Sequence, residues 1–316
     1  SFHNLIYTFH LLEKYPSLGV PFQAYNRDKD LTDRKFKYRV TLNSSPFGAM
    51  IRDLMGLYME MLFELSPYLI IWRSEEEYFI HPELRLGIRK NLQEPKIRFI
   101  FIKLTLFHSE STTHANCLLF DKKNWTLERF EPYGPLPYLD AEAMDVTLEK
   151  YFQPIFSTRK LRYRRPADLM GRLNIQGLSK DDVLLLKKLG DPPGYCLAWV
   201  FWYVDLRLSN PTRKPEELIP EALASIFSTN SDPSKSLLSH IRSFAASLNA
   251  KKDKYLKKNG VPPSRLYDLA LPEPEYQKMR KVFASTFARL MASKFSFVKY
   301  KDGKSRCREK EGPQLC

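Results

Sequence analysis

The chain has 316 residues, with 50 Lys and Arg against 36 Asp and Glu, a net charge of +14, 43% hydrophobic side chains and 13% aromatic ones. This composition excludes a disordered or fibrous protein and supplies enough apolar surface for one large domain or two ordinary ones. No apolar run approaches the roughly 18 residues that a membrane span needs, and the opening Ser1-Phe2-His3-Asn4 has none of the features of a secretory signal.

Residues 1–45 mix apolar positions with turn-rich, charged sequence and read as a partly helical lead-in. From Pro46 the apolar residues Phe47, Met50, Ile51, Leu54, Leu57, Tyr58, Met61, Leu62 and Leu65 recur at helical spacing, with Ser44 or Ser45 as cap. Ser66-Pro67 ends that helix. Tyr68–Trp72 and Ile97–Leu104 are β-prone. The second is nearly continuous hydrophobe, as expected of an interior strand covered on both faces. A hairpin follows: strand His114–Phe120, turn Asp121–Asn124, return strand Trp125–Glu131, then Pro132-Tyr133-Gly134-Pro135.

Residues 140–153 pattern as an amphipathic helix, and a basic segment runs from Arg159 to Pro166. Ser179–Asp182 resembles a capping box opening a short helix, Val183 to Leu189. After the rigid turn Gly190–Tyr195, Cys196 begins a run that is apolar almost all round until Asp205 and stops at Asn210-Pro211. Such a helix is usually the buried centre of a domain. Helical patterns at 215–228, 233–249 and 274–292 precede a lysine-rich tail. The expected organisation is a lead-in over 1–96 packed on a core at 97–211, and a basic helical extension with a flexible tail at 212–316.

The cysteines are Cys117, Cys196, Cys307 and Cys316, and their spacing matches no zinc pattern and no dense disulfide framework. Free thiols in a reducing, intracellular compartment are the expectation, with no metal and no cofactor. Cys196 stands at the start of a buried helix. The helix N-terminus favours a thiolate and offers backbone N–H groups to an oxyanion. The commoner fate of a cysteine there is that of a small buried hydrophobe.

His114 and Glu131 are equidistant from the point between Lys122 and Lys123. In a tight hairpin centred there they are direct cross-strand neighbours on one face. A carboxylate beside an imidazole fixes its tautomer and stabilises its cation. Alone, the pair is an ordinary polar contact on a sheet. Together with a thiol at a helix N-terminus it has the layout of a cysteine hydrolase.

The strings His114-Ala115-Asn116, Arg129-Phe130-Glu131-Pro132-Tyr133-Gly134 and Gly194-Tyr195-Cys196 resemble adenain and the related SUMO- and ubiquitin-like-protein proteases, including members from large DNA viruses. The resemblance covers about residues 97–211. It implies an α+β fold with a central mixed sheet packed on the helix that begins at the nucleophile. It also implies a Cys196–His114–Glu131 triad that hydrolyses peptide or isopeptide bonds. Two departures stand out. Ala115 replaces the Trp that usually follows the histidine. Leu189 and Gly190 occupy the positions of the usual oxyanion-hole Gln, with Asp191 beside them. Gln176 is the nearest upstream glutamine and the alternative donor, alongside the Cys196 N–H. Tyr195 and Trp72 are candidates for the substrate channel, Trp72 with core packing as the plainer role. Cys117, His81 and His108 are expected to be structural.

The charge is uneven. Residues 101–211 hold 15 basic and 13 acidic side chains, residues 212–316 hold 21 and 11. Three readings follow. In the first, the substrate is ubiquitin or an acidic ubiquitin-like modifier such as SUMO. In the second, the chain is a viral maturation protease acting on structural proteins, with its basic third on nucleic acid. In the third it is an inert nucleic-acid-binding or interaction protein that keeps the fold. No membrane contact is expected, and the oligomeric state is left open.

Overall fold

The structure, a computed structural model, describes residues 2–21, 70–81, 84–107, 113–134, 136, 139–156, 159–171, 173–176, 195–263, 273–295, 298–299 and 305–306. The expected helices at 46–65 and 183–189, together with Cys307 and Cys316, lie outside these residues. The described chain is α+β. Its strands are β1 (Leu18–Gly19), β2 (Ile70–Trp72), β3 (Tyr78–Ile80), β4 (Phe99–Phe107), β5 (Thr113–Asp121), β6 (Thr126–Phe130), β7 (Arg162–Arg164), β8 (Val298–Lys299) and β9 (Ser305–Arg306). Its helices are α1 (Phe2–Lys14), α2 (Leu84–Gln93), α3 (Ala141–Phe152), α4 (Pro166–Met170), α5 (Cys196–Ser209), α6 (Pro215–Phe227), α7 (Pro233–Lys258) and α8 (Glu273–Lys294).

β1 to β7 form one mixed sheet in the order β3-β2-β4-β5-β6-β7, with β1 also pairing β4. β4–β5–β6 is antiparallel, while β1 and β2 run parallel to β4 and β7 runs parallel to β6. β4 begins two residues later than the sequence pattern suggests and continues to Phe107. Its continuous hydrophobicity has the expected cause. Phe99 and Phe101 join the core on one face, and Ile100, Ile102, Leu104 and Leu106 join a second core on the other.

On the first face lies α5, apolar on all sides because it sits between the sheet and a further layer of helices. Leu5 and Phe9 of α1, Ile219 of α6, Leu237 and Ile241 of α7, and Phe283 and Phe287 of α8 share its cluster. The second face carries Leu84 and Ile88 of α2 and Met144, Leu148 and Phe152 of α3. α7 runs nine residues beyond its expected end. Leu248, Lys252 and Leu256 extend the buried stripe at i, i+4 spacing, and Gly260 (φ 67) then lets Val261 N–H close back on Leu256 O at 2.9 Å.

A charged group on α5 is also buried. Arg207 is 0% exposed and grips Glu128 of β6 with two bonds, Nε to Oε2 at 2.9 Å and Nη2 to Oε1 at 2.8 Å. The Tyr203 hydroxyl donates to the same carboxylate. This pair ties the central helix to β6. None of the described helices is long and apolar enough to cross a membrane.

Candidate active site

The hairpin register differs from the expected one. β5 and β6 pair Asp121 with Thr126 and Cys117 with Phe130, so the turn is Lys122–Trp125 and is centred one residue later. The cause is local. The Asp121 carboxylate accepts from Lys123 N–H at 2.9 Å and from the Asn124 side-chain amide at 2.9 Å, an Asx-type turn that extends past Asn124. Trp125 takes φ 56 to complete the reversal instead of starting the strand. Continued past Phe130, this register sets Glu131 opposite Asn116 and Tyr133 opposite His114.

His114 and Glu131 meet nevertheless, on the diagonal. His114 Nε2 lies 2.5 Å from Glu131 Oε1, with both side chains buried. Tyr133 N–H also donates to Oε1, at 2.8 Å, and the Tyr133 ring stands edge-on to the imidazole at 6.1 Å. Asn116 Nδ2 donates to the other oxygen, Oε2, at 2.5 Å. Glu131 Oε1 occupies Nε2, which leaves Nδ1 for the thiol.

Cys196 is the first residue of α5, after Tyr195 as N-cap, and it is half-buried. Among the groups that act on its thiol are the His114 imidazole and the Ala115 backbone N–H. Burial by itself pushes the thiol's pKa up and Glu131's charge adds to that. The hydrogen bond and charge of His114 and the Ala115 N–H outweigh both and bring the thiol below its ordinary value. Burial likewise pulls the His114 imidazolium down, but Cys196 and Glu131 lift it to about 10. Both directions favour a thiolate–imidazolium pair over the neutral thiol and imidazole. Cys117, by contrast, is fully buried and its thiol is held well above the usual range, chiefly by desolvation.

The other sequence candidates fall as follows. Gly134 (φ 73) turns the chain after Tyr133 close to Asn174, and Gln176 N–H then donates to Pro132 O at 2.9 Å. Gln176 is thus brought beside the segment that follows Glu131. Tyr195 is 9% exposed and packs in the α5 cluster, its carbonyl accepting Trp199 N–H. Trp72 is 1% exposed, enclosed in the second core and stacked on Tyr78 at 5.0 Å. Core packing, the plainer of its two expected roles, is the one its burial fits. Tyr78, 41% exposed, is the solvent-facing member of that pair. His81 is buried against Phe79. Among the described residues no group of three His, Cys, Asp or Glu could hold a metal.

Two residues near the site were missed. Asn116 stood in a motif string without a role. Lys103 is the lone charge in the apolar β4, which was the available signal. It lies on the α5 face opposite Cys117, and burial pulls its ammonium down to about 8 while Cys196 pulls it up.

No family profile matches the chain. Over 213 residues, 65% of its length, the chain is 28% identical to a protein of Acanthamoeba polyphaga mimivirus named as an ankyrin repeat protein; the match spans 27% of that relative. Among solved structures, the Chlamydia trachomatis effector protein ChlaDUB1 aligns with 12% identity over 86% of each chain, at a TM-score of 0.36.

Proposed function

We propose that the chain is a cysteine-type peptidase in which Cys196 is the nucleophile, His114 the acid for the leaving amine and then the base for water, and Glu131 the group that orients the imidazole. The observation that carries this reading is the His114–Glu131 hydrogen bond beside a Cys196 thiol that His114 draws down, at the N-terminus of a buried helix. The thiolate attacks a carbonyl carbon, and the tetrahedral oxyanion collapses with loss of the amine, which takes the proton of the His114 imidazolium. Water then attacks the thioester while neutral His114 accepts its proton, and the thiolate leaves. Cys196 N–H, unpaired within the helix, faces the developing oxyanion. Gln176 is the second donor in this scheme.

The substrate we infer is the C-terminal tail of ubiquitin or a ubiquitin-like modifier, in peptide or isopeptide linkage. It follows from the sequence resemblance, and a half-buried sulfur beside Tyr195 suits a slender tail. The relative in a large DNA virus, with the exposed Lys251, Lys254, Lys257 and Lys258 on α7, favours a second reading as a maturation endopeptidase held near nucleic acid.

Electrophilic C-terminal probes of ubiquitin and SUMO distinguish the two. An adduct with the unmutated chain that is lost in Cys196→Ala is the expected result. An adduct that survives Cys196→Ala refutes the nucleophile. A thiol that reacts with iodoacetamide but with neither probe favours the second reading.

A further inference from the structure

Glu131 is held at both of its carboxylate oxygens. His114 Nε2 and Tyr133 N–H meet Oε1, and Asn116 Nδ2 meets Oε2. Asn116 is 0% exposed, two residues beyond His114 on β5 and opposite Leu104 of β4. The observed register makes this amide, not the imidazole, the direct cross-strand neighbour of the carboxylate. The terminal torsion of a glutamate is broad, so a diagonal contact at one oxygen leaves the carboxylate free to turn. A bond at the second oxygen stops that rotation.

The other end of the amide argues the same way. Asn116 Oδ1 is buried with no hydrogen-bond partner among the described residues. A leucine of similar size would avoid that cost, so the amide is explained by what Nδ2 does. Reversing the amide would set its oxygen against the carboxylate.

We propose that Asn116 is a positioning residue: its amide locks the ionised Glu131 carboxylate in the plane that His114 needs, and so sets the reactivity of Cys196. The proposal rests on the peptidase reading of that site. The other charged or titratable groups around Glu131 are His114 and Cys117 of β5, Arg129 of β6 and Cys196 of α5, and Lys103 of β4 interacts in turn with Cys196.

The test is the rate of Cys196 alkylation by iodoacetamide between pH 5 and 9, read by peptide mass on the full chain, with circular dichroism to check the fold. Asn116→Leu keeps the volume and removes the donor. Its profile is expected to move up by about one pH unit, roughly tenfold slower at pH 6. Asn116→Asp sets a second carboxyl against Glu131. When protonated it can donate the bond that the amide gave; when ionised it repels. The Asp-to-Leu rate ratio is therefore expected to rise as pH falls, a signature that a merely space-filling residue lacks. Should Asn116→Leu lose the fold, Asn116→Ala takes its place. A Leu profile equal to that of the unmutated chain, or a flat Asp-to-Leu ratio, overturns the proposal while leaving the peptidase reading intact. An unmutated Cys196 that titrates as an ordinary thiol overturns both.

Discussion

Arg207→Met tests how the thiol-bearing helix is fixed to the strand that leads to Glu131. The substitution removes two charge-assisted bonds and leaves Glu128, 0% exposed, with the Tyr203 hydroxyl as its remaining hydrogen-bond donor from α5. Breaking a buried ion pair at one partner costs about 3–5 kcal/mol. A second route gives a similar figure. The variant can protonate the stranded carboxyl, which at pH 7 costs about 1.36 kcal/mol for each of the roughly 2.7 units separating pH 7 from an ordinary Glu pKa, or about 4 kcal/mol. With a urea m-value of about 2 kcal/mol/M, the unfolding midpoint falls by about 2 M. The sign with pH follows. A carboxyl protonated in the folded variant but ionised in its unfolded chain makes the variant lose stability as pH rises. The deficit against the unmutated chain therefore shrinks on acidification from pH 7 towards 5, by about 1.4 kcal/mol per unit. Replacing both partners, Arg207→Met with Glu128→Leu, is expected to recover most of the loss. Urea titrations at pH 5, 6 and 7 on the three proteins measure all of this. A single-variant loss under about 1 kcal/mol, or one that does not change with pH, would refute the buried charged pair.

Two further outcomes concern the thiol. His114→Ala removes the largest influence that lowers the Cys196 pKa, so the alkylation midpoint is expected to rise by at least one unit and the rate at pH 6 to drop at least tenfold; an unchanged midpoint would mean that the helix N-terminus alone activates the sulfur. Lys103→Met removes a cation that is present below about pH 8 and interacts with Cys196, so the midpoint is expected to rise by up to about one unit, and a profile superimposable on the original would show that this charge does not reach Cys196.

The boundaries of α5 were legible because two strong signals bracket it, the Pro-Pro-Gly turn before Cys196 and Asn210-Pro211 after Ser209. β4 was legible for a similar reason, since a strand between two cores has to be apolar on both sides. The hairpin register was not. It was placed by treating Trp125 as a strand residue, on the sound general ground that tryptophan suits a sheet. What decided otherwise is the Asp121 carboxylate, which gathers two backbone N–H groups and the Asn124 side chain and so lengthens the turn by one residue. A shift of one residue at the turn moves every cross-strand partner by two, which is why Glu131 faces Asn116 and reaches His114 only diagonally.

The His114–Glu131 pairing was therefore reached through a register that the chain does not adopt. It survives because β6 ends at Phe130. Beyond that point Glu131 is free of the ladder, and its long side chain can span the diagonal. That freedom is also why a second anchor on the carboxylate matters, and no reading of spacing could have supplied it. Long-range polar contacts have the same character. Glu128 and Arg207 are 79 residues apart, on elements each explained by their apolar neighbours, and only the packing of α5 across β6 reveals that the charges meet. Periodicity reports which face of an element is buried. It is silent on which buried polar groups satisfy one another, and here those groups hold the helix, the carboxylate and the imidazole in place around Cys196.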